Sequence, residues 1–323
     1  MNKLTHLLLL GVSYKSQLIK PWNYPYQFTI EPTNICNYKC VFCPQSESDH
    51  KLKRRQGALT IENMRLFLDQ VREVKSGNSN VSLTLDGEPT LNKNLPEFIR
   101  LINAEGLLPR FSSNGRNLSP SLVDALAASG SFFLSVDFAS EAQYFDTIRG
   151  GKGDFEIVLE NLRYIANIAR KKQNIKVELV NISHFSGAEP EKTLRDLKDL
   201  FPADLPKNVT FRTRQFHNFC GHLNLKGKEK YVLCPYPWTT FTVTWNGDVV
   251  PCCRDTNART VLGNVYRQTV PEIWYGKRYE NLRRKLIAQD IGSIAACKNC
   301  DLPWSSGTSR WKWQYMKYSL LRR

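Results

Sequence analysis

Short apolar runs rich in β-formers recur at 28–30, 81–85, 108–111, 132–136, 175–180 and 209–211, each of a length that suits a buried strand. Segments of helical period lie between them. Ile61, Met64, Leu68 and Val71 follow i, i+3, i+7, i+10 behind Thr60 as N-cap, and Phe155, Val158, Leu159, Leu162, Ile165 and Ile168 repeat the pattern. Strand alternating with helix predicts parallel β/α units with right-handed crossovers. Six strands are too few to close an eight-stranded barrel, so an open, partial (β/α)6 barrel of the α/β class is expected. The leucine run at 4–12 contains His6 and leads into Ser13, Tyr14 and Lys15 without a small-x-small cleavage site. It reads as an N-terminal helix.

After about residue 225 the pattern changes. Asn246 and Gly247 sit between two short β-rich runs, which predicts a hairpin with a type I′ turn, antiparallel and separate from the parallel core. A helix over roughly 270–288 follows, and the chain ends in a basic, aromatic tail over 310–323. The expected organisation is an N-terminal extension (1–22), a barrel domain (23–224) and a small α+β domain with a hairpin (225–323). Lys51, Lys53, Arg54 and Arg55 form the one obvious charge run.

Composition narrows the classes. The 323 residues, 41% hydrophobic and 23% charged, belong to a folding globular chain and exclude a disordered or collagenous one. Forty-five Lys and Arg against 30 Asp and Glu leave +15, which favours an anionic partner, substrate or surface. No apolar stretch approaches the ~20 residues of a membrane span. Seven of the nine cysteines fall in groups of three, two and two, unlike a disulfide framework, and fit a reducing cytoplasm.

Cys36, Cys40 and Cys43 lie within eight residues directly after the first predicted strand. Three thiolates there can converge on one centre. An iron–sulfur cubane held by three would leave one iron open for chemistry; zinc with His50 as a further ligand, or a set of buried thiols, are the alternatives. Cys-x3-Cys-x2-Cys with Phe42 before the last cysteine resembles the signature of the radical S-adenosylmethionine (radical SAM) enzymes, in the loop where that family carries it. The resemblance implies a [4Fe-4S] cluster whose open iron chelates SAM, and reductive cleavage of SAM to a 5′-deoxyadenosyl radical, with Phe42 near the adenine. Leu85, Asp86, Gly87, Glu88 and Pro89 resemble the family's Gly-Gly-Glu-Pro, which implies a contact to the SAM amino group, with Asp86 a departure from the pattern. Ser135 and Asp137 resemble its ribose-contacting pair, and are also of the type that caps a following helix. Ser113, Asn114 and Gly115 are assigned to a loop.

Cys234, Cys252, Cys297 and Cys300 form a second set, with Gly247 five residues before Cys252. Their spacing resembles the SPASM domain and its shortened twitch form, which implies one auxiliary [4Fe-4S] cluster. A four-cysteine zinc site is the alternative, and Cys253 could replace Cys252. Trp238 and Trp274 are expected as core aromatics.

Cys220 is a candidate hydrogen-atom donor, and His217 and His222 are candidates for proton removal; each could equally be structural. The family resemblance implies hydrogen abstraction followed by oxidation or epimerisation of a sugar-like or polar, potentially anionic metabolite, with flavodoxin or ferredoxin as electron donor. Peptide maturation ranks second, since fewer than thirty residues precede the first strand and no leader-binding domain is visible. A basic zinc- or cluster-containing nucleic-acid binder that cleaves no SAM ranks third.

Overall fold

Six strands lie side by side in sequence order and run parallel: β1 (Gln27–Ile30), β2 (Asn80–Leu83), β3 (Leu108–Ser113), β4 (Phe132–Phe138), β5 (Ile175–Asn181) and β6 (Val209–Thr213). They belong to a computed structural model that describes residues 2–46, 54–75, 80–151, 153–214 and 231–304. The crossovers carry α2 (Ile61–Val74), α3 (Leu95–Ala104), α4 (Pro120–Ala128), α5 (Ala142–Arg149), α6 (Phe155–Lys171) and α7 (Pro190–Asp199). Thr60 caps α2 as predicted, its hydroxyl accepting from the Asn63 N–H. The architecture is the expected open, barrel-like α/β sheet. The second strand ends at Leu83, two residues before the expected limit, and Ser113 belongs to β3 rather than to a loop.

Strand alternation sorts the side chains into two environments. Phe28, Ile30, Val81, Leu83, Leu134, Val136, Val177 and Leu179 are buried in the hydrophobic core; Phe28 meets Phe67 of α2 edge-on, and Phe138 stacks on Phe155 of α6. Most of the alternate positions are polar, Phe133 and Val180 being apolar. Gln27, Asn80, Ser82, Arg110, Ser112, Ser135, Glu178 and Arg212 line a cavity of about 300 Å³ inside the barrel.

The C-terminal part carries α8 (Tyr236–Thr239), β7 (Thr240–Val243), β8 (Asp248–Val250), β9 (Gly263–Asn264), α9 (Val270–Trp274) and α10 (Lys277–Ile287). Its hairpin is antiparallel, but it is not separate from the core. β7 pairs parallel with β1, Gln27 opposite Thr240 through Ile30 opposite Val243, so the described residues form one nine-stranded sheet. The turn is also not type I′. Gly247 has φ +89° while Asn246 stays at negative φ, and Gly247 N–H bonds the Thr244 carbonyl at 2.9 Å as Thr244 N–H bonds that of Asp248 at 2.9 Å. This is a three-residue loop closed by a left-handed glycine. The helix expected over 270–288 breaks in two, because Gly276 is extended and serves as the N-cap of α10.

At the other end, α1 (Lys3–Lys15) confirms the N-terminal helix. It is pinned to the C-terminal part: Tyr14 Oη donates to the Leu233 carbonyl, and Trp238 Nε1 donates to that of Leu18 at 2.8 Å. Trp238 and Trp274 are both fully buried, as expected. Among the described residues no helix is long and apolar enough to cross a membrane.

Candidate active site

The loop after β1 places Cys36, Cys40 and Cys43 at the C-terminal edge of the sheet, where barrel folds assemble reactive centres. Its shape is held from several sides. Cys43 N–H bonds the Cys40 carbonyl at 2.9 Å and Val41 N–H that of Ile148 at 3.0 Å. Tyr38 Oη donates to Asp154 Oδ2 at 2.8 Å, and Arg116 Nε pairs with Asp154 Oδ1 at 2.8 Å. Gln45 Nε2 reaches the carbonyls of Asn34 (3.0 Å) and Asp86 (2.8 Å), tying the thiol loop to the 85–89 stretch. A Cβ on Gly87 would lie 2.2 Å from the Thr33 carbonyl oxygen, so only glycine lets the two loops approach this closely.

Glu88 anchors that stretch. Its buried carboxylate accepts from Thr90 N–H (3.1 Å), Thr90 Oγ1 (2.7 Å), Ser113 Oγ (2.9 Å) and Asn114 N–H (2.8 Å). Burial pushes its carboxyl above the usual range against those hydrogen bonds. Burial and the nearby Glu88 charge push the Cys36 thiol up to about 11, and burial raises Cys43 further. Such thiols favour their protons until a metal displaces them.

Sequence reasoning missed Arg149. It ends α5, is wholly buried, and donates from Nη1 to Cys40 Sγ at 3.0 Å and from Nη2 to the Asp137 carbonyl at 2.6 Å. Burial opposes its charge, but charge at Cys40 and Asp137 outweighs this and raises its pKa. Its Nε is buried without a protein partner. Asp137 is ion-paired with Arg214, whose guanidinium lies 5.3 Å over the Phe42 ring. Phe42 also packs on Phe185, centroids 4.5 Å apart. Ser135 faces the barrel cavity, 3.5 Å from Glu178 Oε2, which Arg212 Nε holds at 2.7 Å. Cys220, His217, His222 and the 310–323 tail lie outside the described residues.

The second thiol set gathers on the C-terminal part. Cys234 lies within electrostatic reach of Cys252, Cys297 and Cys300, and burial first, then those neighbours, raises its pKa well above the ordinary value. Cys253 interacts instead with Cys252, Arg254 and Tyr236, and Arg254 bonds Asp301 at 2.9 Å beside Cys300. Among the described residues no group of three or more His, Cys, Asp or Glu is set to hold a metal ion. The all-thiol donor sets at both places fit iron–sulfur clusters.

Two thiol sets, one on the open parallel sheet and one beside its C-terminal hairpin, have the donor make-up of an iron–sulfur protein. The chain belongs to the radical SAM superfamily, whose model matches residues 30–197, and its C-terminal part matches the SPASM iron-sulfur cluster-binding domain over residues 234–301. Its cofactors are therefore [4Fe-4S] clusters and SAM. It is 24% identical over 275 residues to the S-adenosyl-L-methionine-dependent 2-deoxy-scyllo-inosamine dehydrogenase of Niallia circulans, covering 84% of this chain and 91% of that one. The mycofactocin maturase MftC of Mycolicibacterium smegmatis is 27% identical over 154 residues, 47% of this chain and 37% of the maturase. The solved structure of BtrN in complex with AdoMet and 2-DOIA superposes with a TM-score of 0.58 at 21% identity, over 86% of this chain and 93% of BtrN.

Proposed function

We propose that this radical SAM enzyme dehydrogenates a polyhydroxylated, sugar-like small molecule. The observation that carries the reading is the barrel interior: a cavity of about 300 Å³ lined by Ser82, Thr84, Ser112, Ser135, Glu178 and Arg212 together with Tyr26, Phe111 and Phe133. A polyhydroxylated ring finds hydrogen-bond donors and acceptors there beside aromatic faces for its C–H bonds.

On this reading Cys36, Cys40 and Cys43 hold the cluster that binds SAM, and Cys234, Cys252, Cys297 and Cys300 hold the auxiliary one. When bound, these groups supply removal of a hydrogen atom from a carbinol carbon and an acceptor for the electron left behind. The protein's own residues do the rest. Arg149 holds Cys40 and sets a buried positive charge beside the cluster thiols, suited to attract the carboxylate of SAM. Phe42, walled by Phe185 and Arg214, offers an aromatic face for adenine. Glu178, fixed by Arg212, is the carboxylate that faces the cavity and takes the hydroxyl proton as the carbonyl forms.

Anaerobic incubation with SAM and dithionite tests this, with 2-deoxy-scyllo-inosamine, related cyclitols and a set of short peptides as probes. Formation of 5′-deoxyadenosine stimulated by a cyclitol, with a carbonyl product lighter by two hydrogens, is expected. Stimulation by peptides alone would replace the reading with peptide maturation.

A further inference from the structure

Helix α1 carries a surface that neither the barrel nor the thiol sites use. It buries His6, Leu10 and Ser13 against the body of the protein. At about 100° per residue this sends Leu4, Leu8 and Val12 to the opposite side, one above the other. They are 67%, 62% and 41% exposed. A surface helix normally turns polar residues outward, and three aliphatic side chains in line form a patch. Trp22, 64% exposed, stands beside the same helix, its backbone N–H on Ser13 Oγ at 2.8 Å.

Charge identifies what the patch meets. Lys3, Lys15 and Lys20 precede Glu31, and no Asp or Glu does; from the C-terminal part, Glu280 lies 3.2 Å from the exposed Lys20 Nζ. The chain as a whole carries +15. A second copy of the helix would set these lysines against like charges. An aliphatic stripe with lysines and a neighbouring indole has the make-up of a helix that lies in the plane of an anionic bilayer surface.

We propose that α1 docks on an anionic lipid surface, with Leu4, Leu8 and Val12 entering the headgroup boundary and Lys15 and Lys20 meeting lipid phosphates. The inference does not depend on the identity of the substrate. The test is co-sedimentation of the anaerobic holoprotein with phosphatidylcholine vesicles, with or without about 30 mol % phosphatidylglycerol. Partition at least roughly ten-fold stronger onto the anionic vesicles is expected, and weaker at high salt. The triple variant L4Q/L8Q/V12Q should lose that preference while keeping the parent's iron content, near-UV circular dichroism and 5′-deoxyadenosine production in solution. Equal partition onto both vesicles would overturn the proposal, as would a triple variant that sediments like the parent. A lipid-free dimer that the triple variant dissociates would also overturn it, assigning the stripe to a second copy.

Discussion

Arg54 forms a buried ion pair with Glu31 where three distant segments meet. Its Nη1 lies 3.1 Å from Glu31 Oε1 and 2.6 Å from the Thr256 carbonyl oxygen, and the Trp245 N–H reaches the other carboxylate oxygen at 3.1 Å. Glu31 opens the loop that leads to Cys36, Trp245 tops the hairpin, and Thr256 follows Cys252. Burial opposes the Arg54 charge, but the hydrogen bond and field of Glu31 outweigh it and raise its pKa. Removing one member strands the other. Arg54→Met should cost about 3–5 kcal/mol, and Glu31→Gln in the same chain should recover part of it. Anaerobic denaturant unfolding of the two single variants and the double variant measures the coupling; additive losses would show that the pair does not bind the segments together.

Arg149 acts on the thiol loop and on whatever lies beside it. Arg149→Met should keep three-cysteine cluster loading while weakening SAM binding by about 10–100-fold, with Arg149→Lys in between. The change that SAM causes in the electron paramagnetic resonance spectrum of the reduced cluster is the readout, and an unaltered change would contradict a part for its charge in holding SAM.

Glu178→Gln removes the cavity's proton acceptor and keeps its shape. Turnover should fall by about 10²–10⁴-fold while SAM affinity stays that of the parent. Product formation at the parental rate would move the proton-accepting role elsewhere.

Cys252 and Cys253 should part company. Cys252→Ser is expected to remove the auxiliary cluster, about four irons per chain, and Cys253→Ser to leave it in place. Iron and labile sulfide analysis after anaerobic reconstitution decides, and the reverse result would swap the ligand.

His6 predicts the acid limb of stability. Its Nε2 faces the Tyr24 carbonyl at 2.9 Å and therefore donates, leaving Nδ1 buried without a partner. A second proton would have no acceptor, and burial lowers the pKa below 6.5 despite the Tyr24 bond. The unfolded chain therefore binds the proton first as pH falls below about 6.5, and stability declines from there toward the lower folded value. His6→Gln, whose amide can keep the bond to Tyr24, should flatten the slope below about pH 6.5 in anaerobic melts.

Local signals were legible and long-range ones were not. Thr60 and the spacing of Ile61, Met64, Leu68 and Val71 announce α2, because a helix start is written within a few residues. The cysteine spacings announce both thiol sets for the same reason. Asn246 and Gly247 mark a turn, but its type depends on how Thr244 and Asp248 pair across it, and that pairing chose the three-residue loop. The parallel join of β7 to β1 left no mark, because Thr240 and Gln27 come from opposite ends of the chain. Arg149 escaped notice likewise: it meets Cys40 across 109 residues, and Arg214 meets Asp137 across 77. Neither arginine stands in a motif.

The parallel seam between β1 and β7 also sets an order of events during synthesis. The strand that leads into Cys36, Cys40 and Cys43 stays an open edge on one side until residues 240–243 have left the ribosome. Glu31, at the end of that strand, likewise waits for Trp245. The nascent barrel therefore reaches its final form only after the hairpin arrives, and iron delivered earlier would meet a thiol loop whose floor is unfinished. The supports of the thiol loop are thus complete only once the chain has grown past residue 245, and until then β1 keeps an unpaired edge.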